Sequence, residues 1–112
     1  MKRILLGMIT ILATLSLGAC SDGADPEFRV KNELAEKVNM QIQTSGGNTI
    51  NINDVEGGQT TAFQSAAEGT IVVTAVIQNV LVSPKMSFFA RNDSHSTIVL
   101  QAGEVPSFRI DQ

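Results

Sequence analysis

The chain has 112 residues, room for one domain, and carries 8 basic against 11 acidic residues for a formal net charge of −3. That balance, with no basic cluster, excludes a nucleic-acid binder driven by phosphate contacts and a polybasic patch held to anionic lipid. One Cys and one His leave no ligand set for a structural zinc or copper ion, and a lone Cys excludes an internal disulfide.

Lys2 and Arg3 open the chain, and no charge follows until Asp22. Between them lies the apolar run "ILLGMITILATL" and then the small residues of "SLGA". A basic start, an apolar centre and a small-residue exit predict a secretory signal peptide over residues 1–19, removed on maturation. The uncharged stretch Ile4–Ala19 is 16 residues long, short of the roughly 20 that a spanning helix needs. With Lys2 and Arg3 removed, six basic residues face 11 acidic ones and the net charge falls to about −5.

The four residues Leu17, Gly18, Ala19 and Cys20 resemble the lipobox of bacterial lipoprotein precursors. The resemblance implies cleavage between Ala19 and Cys20 and attachment of lipid to the Cys20 sulfur. Two or more acyl chains anchor stably where one anchors marginally, at about 0.8 kcal/mol per buried CH₂. In enterobacterial lipoproteins an Asp directly after the Cys retains the protein in the inner membrane. Ser21 holds that position here, which implies the outer membrane, facing the periplasm.

Residues 20–27 follow as a lipidated Cys and a small, polar, acidic tether, "SDGADPE", with Gly23 and Pro26 as breakers. Its seven residues reach at most roughly 25 Å. From Phe28 to the end, residues 28–112 alternate with period two. "FRVKN" sets Phe28 and Val30 against Arg29 and Lys31, "VNMQIQ" sets Val38, Met40 and Ile42 against amides, and "NTININ" repeats the device. Each predicts a half-buried antiparallel strand. "NELAEK" predicts a loop with one turn. "GTIVVTAVIQ", residues 69–78, is apolar on both faces and predicts a central strand covered on both sides, or one crossing a sandwich core. "MSFFA", "STIVLQ" and "SFRID" complete seven or eight strands, with turn residues at Gly46-Gly47, Gly57-Gly58, Gly69, Asn79, Asn92-Asp93 and Gly103. The expected fold is a small all-β antiparallel sandwich, Ig-like or Greek-key. The pattern from "RVKN" to "GTIVVTAV" also resembles uncharacterised β-sandwich domains of bacterial envelope proteins, which implies a fold and no activity.

Chemistry is sparse. Ser94, Ser96 and Asp93 flank His95, but a triad is assembled in space rather than from sequence neighbours, and "RNDSHS" reads as a polar turn. "NINDVEGG" fails the calcium-loop pattern, since Val55 and Glu56 fall where an oxygen ligand and a Gly are needed, so Asp54 reads as a turn residue. "NDS" at 92–94 fits a glycosylation acceptor and marks a surface turn. There is no Trp or Tyr, which weighs against sugar stacking. Phe88 and Phe89 must point to opposite faces of one strand and are the candidate partner contact. The expectation is a non-catalytic envelope lipoprotein that binds a protein, with no catalytic residue, no metal and no cofactor beyond the lipid on Cys20. The alternatives are an inhibitor or immunity-type lipoprotein and a cell-wall hydrolase working through His95.

Overall fold

The alternating segments pair into eight strands: β1 (Glu27–Asn32), β2 (Val38–Gln43), β3 (Thr49–Val55), β4 (Gln64–Ser65), β5 (Gly69–Ile77), β6 (Lys85–Ala90), β7 (His95–Gln101) and β8 (Ser107–Asp111). The structure, a computed structural model, describes residues 23–112. Two four-stranded sheets form, ordered β4-β1-β7-β8 and β3-β2-β5-β6. Their inner faces share one core: Phe28, Val30, Ile98 and Leu100 from the first meet Val38, Met40, Ile42, Ile71, Val73 and Ile77 from the second. Full burial of each large side chain contributes about 1.5–3 kcal/mol. The molecule is therefore an all-β sandwich, as the alternation predicts.

Four details differ from the sequence reading. All pairings within the sheets are antiparallel except β1 with β7, which run parallel from Glu27↔His95 to Asn32↔Leu100. The fold begins inside the stretch that reads as a tether. Glu27 is already in β1, Pro26 is buried, and Ala24 is clamped to Asp93, its N–H donating to Asp93 Oδ1 (2.9 Å) and its carbonyl accepting from Asp93 N (2.8 Å). Asp54 lies inside β3 at φ 58, in a bulge between the pairs Val38↔Val55 and Met40↔Ile52. Asn39 Oδ1 accepts its N–H at 2.8 Å, and the turn itself falls at Gly57-Gly58.

The fourth difference concerns β5, which crosses the core as one reading expects but lacks cover on its second face. It is central in its sheet, yet only its inner face is covered: Ile71, Val73, Ala75 and Ile77 are buried while Val76 is 58% exposed. A two-layer sandwich has no third layer to cover the outer face. Val72 and Thr74 gain lateral shielding from β2 and β6, whose pairings place Gln43 and Ser87 beside Val72, and Gln41 and Lys85 beside Thr74. Val76 has Asn39 on one side, and the β6 register ends before it.

At the end of β1, Asn32 is fully buried and its side chain is almost saturated. Nδ2 donates to the carbonyls of Glu36 (2.7 Å) and Val55 (3.1 Å), and Oδ1 accepts from Leu34 N (2.9 Å). These bonds fix residues 33–37, a loop whose Leu34 is buried, and tie one sheet to β3 of the other. Among the described residues, the buried Ser96 Oγ has no hydrogen-bond partner.

Asn32→Ala leaves two buried backbone groups, Val55 O and Leu34 N, and the part-buried Glu36 O unpaired, at about 1–3 kcal/mol for a buried group without compensation. A loss near 3 kcal/mol is expected, which lowers Tm by roughly 10–20 °C in a domain of this size. Asn32→Leu, which restores volume and no hydrogen bond, should not recover it. Thermal unfolding followed by circular dichroism measures both, and a loss under about 1 kcal/mol in Asn32→Ala would remove this role from the amide.

Candidate functional site

The residues named for lipidation, cleavage and sorting, Cys20, Ala19 and Ser21, lie outside the described residues. Phe88 and Phe89 are placed. Phe88 packs against the core, while Phe89 is 57% exposed on the outer face, in register with Thr70. The pair therefore splits by parity, and Phe89 alone is free to touch a partner.

The strand that carries it is one of four sheet edges, and the four differ. Edge β4 is two residues long, edge β3 carries the Asp54 bulge, and edge β8 presents Arg109 and Asp111. All three are devices that blunt strand addition. Edge β6, "KMSFFA", has six residues and a single charge, at its first position, so its outward N–H and C=O groups are the least guarded. At the end of the sandwich remote from Ala24, the loop 78–84 between β5 and β6 exposes Leu81 completely (102%) and Val82 in part. Val80 packs against the core, and bonds from Val80 N to Ile77 O and from Ala75 N to Pro84 O hold the base of that loop.

The outer face of the β4-β1-β7-β8 sheet is charged. Register sets Arg29 beside Thr97 and Thr97 beside Asp111, with Lys31, Val99 and Arg109 in the next row. Arg109 grips Asp111 with two bonds, Nε to Oδ1 (2.9 Å) and Nη2 to Oδ2 (3.0 Å). Its Nη1 donates to Gln101 Oε1, and Glu33 Oε2 lies 3.6 Å from Lys31 Nζ and 3.7 Å from Arg109 Nη2. The hydrogen bonds from Arg109 hold the Asp111 carboxyl below the usual carboxylate range, against partial desolvation that raises it. Val99 points outward yet is 1% exposed, because Lys31 and Arg109 flank it and their methylene stems cover it.

A shallow concavity of about 390 Å³ opens on this face, lined among others by Arg29, Lys31, Phe63, His95, Thr97 and Val99. The Arg29 guanidinium lies 4.7 Å from the Phe63 ring centroid and its Nε donates to Thr97 Oγ1 at 3.0 Å. The His95 ring meets Phe63 edge-on at 5.5 Å and 87°, and His95 Nε2 is 3.6 Å from Glu27 Oε1. The side chains next to His95 in sequence do not converge on it. Ser94 Oγ donates to Arg91 O, Asp93 accepts from Ala24, and Ser96 faces the core. Sequence reasoning missed Arg29, Phe63 and Thr97 as a group. The outward alternation of "FRVKN" marks Arg29 and Lys31, but nothing in the sequence says that Phe63 and Thr97 flank them.

No family model matches the chain, and no curated protein matches it. Its architecture is that of an eight-stranded β-sandwich. Among solved structures it is similar to an NMR structure of a protein from Eubacterium rectale, with TM-score 0.64 and 16% identity over 79% of this chain and 89% of that one. Identity at that level carries the fold alone.

Because Asp111 is depressed in the folded state, its pairing stabilises the domain above the unfolded carboxyl pKa of about 3.9 and the gain is lost as pH falls through the folded value. In Arg109→Gln the Asp111 carboxyl should titrate at higher pH, back toward the ordinary carboxylate range. Carboxyl ¹³C NMR measures this, and an unmoved midpoint would mean that Arg109 is not the cause.

Proposed function

We propose that this chain is a lipid-anchored protein of the bacterial envelope whose β-sandwich recognises another envelope protein without catalysing a reaction. The anchor rests on the Leu17-Gly18-Ala19-Cys20 motif at the exit of a well-formed signal peptide. Ser21 after the Cys favours the outer membrane, facing the periplasm. Ala24 is clamped to Asp93, so four residues, 20–23, separate the fixed backbone from the proposed lipid attachment, at most about 14 Å of chain. The domain then sits against the membrane.

The observation that supports recognition is the unguarded β6 edge beside the exposed Phe89. An added strand gains main-chain hydrogen bonds along such an edge, and an exposed aromatic gives it a side-chain anchor. The inhibitor reading has one observation of its own: an apolar loop tip at Leu81 on an anchored base.

Two measurements test this. Palmitate labelling should be lost in Cys20→Ala, and globomycin should cause the precursor to accumulate; absence of label on the native chain would end the anchor reading. A photo-cross-linker placed near Phe89 in the native envelope should capture one stoichiometric protein, identified by mass spectrometry. Phe89→Asp should abolish that capture and Leu81→Asp should leave it intact. The reverse pattern would favour the inhibitor reading, and no adduct from either position would overturn both.

A further inference from the structure

We propose that the concavity on the outer face of the β4-β1-β7-β8 sheet is a carboxylate-binding site, with Arg29 as the group that grips the ligand. The inference rests on how Arg29 is held on that face. Glu33 lies beside Lys31 and Arg109, Asp111 is gripped by Arg109, and Glu27 lies 3.6 Å from the His95 ring. Arg29 has no acidic partner among the described residues. It is instead immobilised by neutral groups, through Nε on Thr97 Oγ1 and through its face on Phe63. Phe63 is in turn braced edge-on by His95. A guanidinium held by one face and by Nε keeps its two Nη groups in plane, the fork that meets a carboxylate with two parallel bonds. Its side-chain freedom is already restricted, so less entropy is lost when a ligand is gripped.

Charge and shape narrow the ligand. Arg29 offers one positive charge, and the Glu27 and Asp111 carboxylates on the same face repel a phosphate dianion more strongly than a monoanion. Thr97 and the buried Val99 line the hollow, and Phe63 remains 40% exposed beside it, so an apolar group next to the carboxylate has a surface to cover. About 390 Å³ suits a residue-sized fragment. The ligand class is a peptide carboxylate, from an acidic side chain or a free C terminus, flanked by an apolar residue. This site stands apart from Phe89 and from the lipid anchor, so it holds or fails separately from them.

The test is ¹⁵N NMR of the full chain in detergent micelles, titrated with acetyl-Leu-Glu-amide and with acetyl-Leu-Leu bearing a free C terminus. The controls are acetyl-Leu-Gln-amide, acetyl-Leu-Leu-amide and inorganic phosphate. The carboxylate peptides should shift the amides of Thr97 and Val99, and the tighter of the two identifies the source of the carboxylate. Their uncharged counterparts should bind at least tenfold more weakly. Arg29→Gln should lose the same factor while the amides of Val30 and Ile98 stay in place, and Arg29→Lys should recover only part. Equal binding of charged and uncharged peptides would overturn the proposal. So would tighter binding of phosphate, indifference to Arg29→Gln, or no shift with any peptide.

Discussion

A single buried amide sets the frame of this sandwich. Where β1 leaves one sheet and the chain crosses to β2 in the other, no ladder can pair the backbone groups of the crossing. Asn32 supplies the missing partners: two carbonyls and one N–H bond to its side chain, while its own backbone bonds to Gly58 N and Gln59 O. In a low-dielectric interior such a network is worth most when every member is satisfied. It joins β1, the 33–37 loop, the end of β3 and the following turn into one unit. Gly57 belongs to that unit for steric reasons, since a Cβ there would stand 2.6 Å from Leu34 O and 2.7 Å from Ala35 O. That unit anchors the end of β1, whose ladder with β7 sets Arg29 and Lys31 outward.

Alternation in the sequence is a local property, and what it made legible is local. It marks which residues of each strand face inward, so the core and the parity of Phe88 and Phe89 could be read in advance. It is silent on partners. Nothing in "FRVKN" or "STIVLQ" distinguishes parallel from antiparallel pairing, and the parallel β1–β7 ladder depends on where the intervening chain goes. The same blindness explains β5. An apolar outer face reads as a covered one, whereas Val72, Thr74 and Val76 are graded by whether β2 and β6 extend far enough to flank them. Asp54 beside a Gly pair has turn chemistry, and the bulge it occupies uses the same left-handed tolerance within a strand.

The charged face was illegible for a different reason. Arg29, Phe63 and Thr97 are separated by more than thirty residues at each step, and each alone is unremarkable. Two pairings assemble them: the chain leading into β4 runs antiparallel along β1 and brings Phe63 opposite Arg29, while β7 brings Thr97. His95 shows the cost of reading neighbours as partners. The strand that begins there sends His95 outward to Phe63 and Glu27 and Ser96 inward to the core, so one residue of separation becomes the thickness of a sheet.

These surfaces are ordered along the molecule as well as around it. Ala24 is clamped to Asp93 at the end where β1 and β7 begin, and the loops 78–84 and 102–106 lie at the other. Under the proposed attachment at Cys20, a link of four residues fixes the Ala24 end near the bilayer and turns Leu81 away from it. The concavity around Arg29 and the Phe89 half of β6 then fall in the membrane-proximal part. A partner reached there must itself lie close to the bilayer, as an integral or anchored protein does, whereas a freely diffusing enzyme would meet the Leu81 loop first. Position along the sandwich therefore separates the two recognition readings before any affinity is measured.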